Sequence, residues 1–131
     1  MQDRVLDSKL TKDALDKFAE EFFISMRDNT LKETGFPNTM YGMSKVFINV
    51  YITNILSRNE EILKKGIQVY CLCPGWVRTE MVAKRVRDKA PNSIEQGAAT
   101  PIYLIDLPYK MNKEFQGKFF YLKKVKELKD F

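Results

Sequence analysis

Histidine is absent from the 131 residues. That excludes a Ser-His-Asp triad, a Cys-His dyad and any imidazole-ligated metal supplied by this chain alone. Cysteine is scarce. Cys71 and Cys73 are the only two, and they sit two apart in an apolar run. Same-face neighbours on one strand are poorly placed to bridge each other. Without other sulfur or imidazole ligands nearby they are not half of a zinc site, so no metal site is expected. They read as reduced core thiols, which suits the cytosol better than an oxidising compartment. No stretch approaches the length of a membrane span. Met1 through Leu10 carries four charges and no apolar core, unlike a secretory signal. These absences lead to an expected cytoplasmic location. Lysine and arginine number 22 against 17 acids, a net charge of +5, but acids such as Glu80, Asp88, Glu127 and Asp130 interleave with the basic clusters. A nucleic-acid surface needs a denser basic stripe with stacking aromatics, so a mildly basic solvated surface is the better reading.

What is present has clear periodicity. Over residues 11–29, Leu15, Phe18, Ala19, Phe22, Phe23 and Met26 recur at spacings of three and four, which predicts an amphipathic helix capped by Thr11. A turn-rich break around Gly35-Phe36-Pro37-Asn38 follows. Residues 39–65 predict a second helix, apolar most of the way round its middle (Val46, Phe47, Val50, Tyr51, Ile52, Ile55 and Leu56), hence buried or shared with a partner. Gly66 is its stop signal. Residues 67–73 are almost continuously apolar and close on Pro74-Gly75, as an interior strand of a parallel sheet does. After a long polar loop with some helix, Ser93 and Gln96 form a capping box for a helix over 93–107, with Pro101 inside it. Residues 117–122 read as a last strand before a charged tail. The order is helix, helix, strand, helix, strand. Two parallel strands cannot bury both faces and both edges of a sheet, so the chain reads as half of an α/β domain.

Tyr41 and Lys45 place a phenol and an ammonium four residues apart, on one face of a helix. A free tyrosine titrates near ~10, and a nearby ammonium stabilises the phenolate, which makes such a pair usable in acid–base chemistry. Many helices carry the same pair with no chemical role, so context decides. Here the long helix is followed by an interior strand and then by Cys73-Pro74-Gly75-Trp76-Val77-Arg78-Thr79. The carboxyl end of a parallel strand is where open α/β sheets bind ligands.

Taken together these residues resemble the short-chain dehydrogenase/reductase superfamily, in its carbonyl reductase-like branch. Tyr41 and Lys45 match the family's Tyr-x-x-x-Lys, residues 73–79 match its strand-end motif, and Glu95-Gln96-Gly97-Ala98-Ala99-Thr100-Pro101 is similar to its Glu-Gly-Ala-Glu-Thr-Pro helix. Gly35-Phe36-Pro37 extends the likeness upstream. The resemblance implies the C-terminal half of a single domain, part of a Rossmann-like doubly wound parallel sheet whose N-terminal nucleotide-binding half is absent. It implies NADPH-dependent reduction of a ketone, aldehyde or quinone, with the branch alone favouring NADP over NAD. Tyr41 would be the general acid and Lys45 its partner at the ribose. Pro74, Gly75, Trp76 and Val77 would line the nicotinamide carboxamide, with Thr79 near it or the pyrophosphate. The helix over 11–29 looks like an inserted helix that covers a dimer surface and so favours a monomer. The loop from Met81 to Ala90 would contribute to the substrate pocket.

The departures are equally specific. The family's Gly-x-x-x-Gly-x-Gly turn is missing, since no two of the six glycines are closer than seven residues. The family's catalytic Ser and Asn also belong to segments preceding the Tyr helix. The isolated chain is therefore expected to be inactive. The alternative expectation is a non-catalytic half-length protein that serves as an interaction or assembly module, with a partner on its sheet edge.

Overall fold

The computed structural model describes residue 7, residues 9–108 and residues 113–128. The reading of Met1–Leu10 and the end of the charged tail fall largely outside these. Helix α1 spans Lys12–Arg27, with the Thr11 side chain accepting a bond from the Ala14 N–H. It stops short of the expected residue 29 because Asn29 takes a left-handed conformation, φ 58°. A short helix α2, Leu31–Thr34, was not anticipated, and it ends on Gly35 at φ 75°.

The single helix expected over 39–65 is four segments. Helix α3 (Met40–Val50) runs into a π turn (Tyr51–Ile55), a 3-10 turn (Leu56–Arg58) and then helix α4 (Glu60–Lys64). No Pro or Gly lies between residues 43 and 65 to break it. The departure falls where the backbone of Gly117 docks: a Cβ at residue 117 would lie 2.8 Å from the Thr53 carbonyl oxygen and 2.5 Å from Ser57 Oγ. The helix is also less buried than its composition implies, with Val46 and Ile48 36% and 48% exposed. Its covered face meets α1. Leu15, Phe18, Phe22, Phe36, Met43 and Val50 form one apolar cluster, with Phe47, Tyr51 and Ile55 packed against it. Phe18 and Phe22 each meet Phe36 edge-on, at ring separations of 5.0 and 5.3 Å.

The sheet is mixed rather than parallel throughout. Strand β1 (Cys71–Cys73) pairs in parallel with β2 (Phe119–Tyr121), and β2 pairs antiparallel with β3 (Lys124–Lys126). The strand expected over 67–73 is only its last three residues, because the Val69 N–H donates to the Gln116 side chain and not to a ladder carbonyl. The strand expected over 117–122 is trimmed at both ends by left-handed residues, Gly117 at φ 70° and Leu122 at φ 50°. Part of the expected charged tail is strand β3, turned back through Leu122 and Lys123, and the Lys123 N–H donates to Thr100 Oγ1 at 3.2 Å. Helix α5 (Lys84–Arg87) interrupts the loop after β1. Helix α6 (Ile94–Ile105) crosses between β1 and β2, with Ser93 as its cap and both halves of the capping box formed. It ends before the expected residue 107, since Pro108 disfavours helical backbone in the residue it follows. Phe120 is buried under the rings of Tyr70 and Phe115. The Cys71 N–H donates to the Lys118 carbonyl, so the backbone groups of Cys71 and Cys73 face β2 and those of Leu72 face the outer edge.

Cys71 and Cys73 are free thiols, the first buried and the second half-buried. Burial pushes the Cys71 thiol up to about 11. The folded chain thus disfavours its thiolate, and the stability tied to this group is whole below the ordinary thiol value and drains as pH rises toward about 11. Alkylation of the folded protein at neutral pH is expected to modify Cys73 well ahead of Cys71. Equal labelling, read by mass spectrometry, would show Cys71 to be accessible.

Candidate active site

Thr39 begins the site. Its Oγ1 accepts the Gly42 N–H at 3.1 Å and starts α3, while a Cβ on residue 42 would press to 2.8 Å from its methyl. This close approach puts Tyr41 in the first turn of the helix, where it is 74% exposed. Lys45 lies one turn further, on the same face, with Nζ 5.3 Å from the centre of the Tyr41 ring. The ammonium therefore rests over the ring and makes no hydrogen bond to the phenol, a cation–π arrangement. The Ser44 hydroxyl donates to the Tyr41 carbonyl at 2.8 Å.

The second group of residues leaves the carboxyl end of β1. Gly75 adopts φ 79°, which a side chain would resist, and its N–H donates to Cys73 Sγ at 3.4 Å. Trp76 is 47% exposed. Val77 forms an isolated parallel bridge with Asn92: the Asn92 N–H donates to the Trp76 carbonyl at 3.2 Å, and the Arg78 N–H to the Asn92 carbonyl at 2.9 Å. In a parallel bridge the middle residue's own groups face away from that partner. The Val77 carbonyl accepts the Thr79 N–H at 2.9 Å, while the Val77 N–H has no acceptor among the described residues. Pro74 is exposed and Thr79 half-buried. Among the described residues no hydrogen bond or ring contact joins Tyr41 or Lys45 to Pro74–Thr79. The two groups are brought to the sheet by different elements: the chain reverses at Gly66 (φ 67°), and β1 returns beside α3, with Cys71 Sγ 3.9 Å from the Asn49 carbonyl.

The loop from Met81 to Ala90 is held by a residue the sequence reading passed over. Arg87 folds its guanidinium back onto the carbonyls of Glu80 and Val82 at 3.3 to 3.4 Å. Met81 stands 96% exposed at the loop's tip, and Ala90 anchors its base. Neither Asn92 nor Arg87 has a sequence signature: Asn92 acts through its backbone on residues distant in sequence, and Arg87 acts through its guanidinium on the carbonyls of its own loop. Among the described residues no group of His, Cys, Asp and Glu is placed to hold a metal ion, and no helix is long and apolar enough to cross a membrane.

No family model matches the chain. Curated relatives do. Carbonyl reductase (NADPH) 3 of Rattus norvegicus and carbonyl reductase (NADPH) 1 of Mus musculus are each 34% identical over 110 residues, 82% of this chain and 38% of theirs. Carbonyl reductase (NADPH) 1 of Homo sapiens is 32% identical over the same extent. The chain thus spans 38% of the length of the curated relatives it matches. An α/β chain with a Tyr-x-x-x-Lys helix, a Pro-Gly strand end and this likeness over most of its length belongs to the carbonyl reductase-like branch of the short-chain dehydrogenase/reductase superfamily.

Proposed function

We propose that the chain is the C-terminal half of a Rossmann-like, doubly wound domain that reduces a small-molecule carbonyl to an alcohol with NADPH. The observation that carries this is the exposed Tyr41 with the Lys45 ammonium one helical turn away on the same face. The nicotinamide end of the cofactor fits the residues present. The Val77 N–H is unspent in the fold and faces away from Asn92, free to donate to a carboxamide oxygen, and Pro74, Gly75 and Trp76 form the wall beside it. Thr79 supplies a hydroxyl at the same turn. The pyrophosphate end finds no equivalent, since no glycine-rich turn is present. When bound, the reduced nicotinamide supplies the hydride that the carbonyl carbon receives. The chain's own part is the proton. The Tyr41 hydroxyl gives it to the carbonyl oxygen, and Lys45 holds positive charge beside the phenol as it becomes phenolate. Two free thiols favour a cytosolic setting.

A second reading, an assembly module without turnover, is favoured by exposed surface. On α6, Ile94, Ile102 and Ile105 are 60%, 54% and 81% exposed. The purified 131-residue chain is expected to show no NADPH-dependent reduction of aldehydes or quinones. Joined behind the nucleotide-binding half of a carbonyl reductase, it is expected to gain that activity and to elute as a monomer. Turnover by the chain alone, or a folded but inactive chimera, would refute the first reading.

A further inference from the structure

Beyond Cys73 the ladder ends, yet the turn that follows β1 is ordered, besides the Gly75 N–H bond to Cys73 Sγ and the Tyr121 ring near Gly75, by contacts from the start of α6. Three of them converge. The Asn92 backbone spends both its groups on Trp76 and Arg78, which turns the Val77 N–H outward. The Asn92 side chain occupies the space beside Gly75, where a Cβ would lie 2.5 Å from Nδ2. Under Val77 lies Gly97, where a Cβ would come within 2.5 Å of Cγ2 and 3.0 Å of Cγ1. Valine is stiff about χ1, so these methyls have no alternative place to go. The capping box between Ser93 and Gln96 fixes where α6 starts, and so fixes all three contacts relative to the sheet.

We propose that Asn92 and Gly97 are positioning residues that set the Gly75–Thr79 turn, Asn92 through its backbone and Gly97 by the absence of a side chain beneath Val77. The clamp deepens the reading of that turn as the nicotinamide wall and rests on it for its purpose, but not for its existence. Trp76, the chain's single tryptophan, lies inside the turn and reports on it directly. In the ligand-free 131-residue chain, Gly97→Ala is expected to displace Val77 and increase acrylamide quenching of Trp76. The double variant Gly97→Ala/Val77→Ala should return quenching to the parent level. Asn92→Ala keeps both backbone bonds and loses only the side-chain contact beside Gly75, so it should raise quenching less than Gly97→Ala does, whereas Asn92→Pro removes the donor and should mimic Gly97→Ala.

The second readout is energy transfer from Trp76 to reduced nicotinamide mononucleotide, a probe that needs no pyrophosphate turn. Transfer is expected in the parent, lost in Gly97→Ala and regained in the double variant. Quenching decides the clamp: no change in Gly97→Ala, or no recovery in the double variant, overturns it. Should Gly97→Ala lose its helical circular dichroism, Val77→Ala alone decides, with unchanged quenching overturning the proposal. Restored quenching without transfer in any variant upholds the clamp and removes the cofactor reading of the turn.

Discussion

In a chimera completed by a nucleotide-binding half, Tyr41→Phe is expected to lower kcat/KM for carbonyl reduction by about 10²–10⁴-fold, the usual value of a positioned general acid. The change removes one oxygen from a side chain that is 74% exposed, so it costs the fold little and isolates the proton. NADPH affinity should stay at the parent level, because the phenol contributes to the transition state and not to ground-state binding of the cofactor. Lys45→Met should behave differently. Its ammonium lies over the Tyr41 ring and, in the proposed reading, also meets the ribose, so both kcat and NADPH affinity should fall. Steady-state kinetics with fluorescence titration of NADPH separates the two. If Tyr41→Phe retained the parent's kcat/KM, the proton would come from elsewhere and the proposed role of the pair would fail.

Gly117→Ala is expected to destabilise the chain by about 2–5 kcal/mol, combining a left-handed backbone cost of about 1–2 kcal/mol with an overpacking cost of about 1–3 kcal/mol. Its Cβ would meet Ser57 Oγ at 2.5 Å and both Ser57 Cβ and the Thr53 carbonyl oxygen at 2.8 Å. A carbonyl in a helical turn has no rotamer by which to retreat. Gly35 is the internal control. It has a similar φ of 75° but nothing within 4 Å of its Cβ position, so Gly35→Ala should lose only the backbone part. At a urea m-value of about 2 kcal/mol per molar, the midpoints should fall by about 1–2.5 M for Gly117→Ala and by about 0.5–1 M for Gly35→Ala. Equal losses at the two sites would mean that the Gly117 contact with the helix is not what holds the sheet to it.

That contact also shows where sequence reading stops. Helices α1 and α6 were legible because their signals are local: a stripe of Leu15, Phe18 and Phe22, and a capping box four residues long. The Tyr41–Lys45 pair was legible for the same reason. The π turn at Tyr51–Ile55 was not, because nothing within the helix causes it and the residue that docks there comes from near the other end of the chain. The β2–β3 hairpin was missed for want of turn chemistry. Leu122 and Lys123 both take positive φ, at 50° and 62°, where glycine or asparagine would have announced the turn. A tertiary bond from Lys123 to Thr100 takes the place of that local preference. Val69 left the strand for a comparable reason, its N–H drawn to a glutamine side chain from a distant loop. Of the site, the residue types were visible; how Asn92 and Arg87 hold the loops was not, since backbone groups carry no sequence signature.

The two borders of the sheet permit different things. At β1 the outer backbone groups belong to Leu72, an apolar residue with nothing charged beside it in the strand. At β3 the border is Lys124-Val125-Lys126, all exposed, with two ammonium groups on one face. Lysines at an edge oppose the approach of another basic strand. Among the described residues the β3 border is thus guarded by charge, and the β1 border is the one that offers unguarded backbone groups to a further strand. Two copies joined through β1 would present β3 on both flanks, which gives a closed pair and not a fibre.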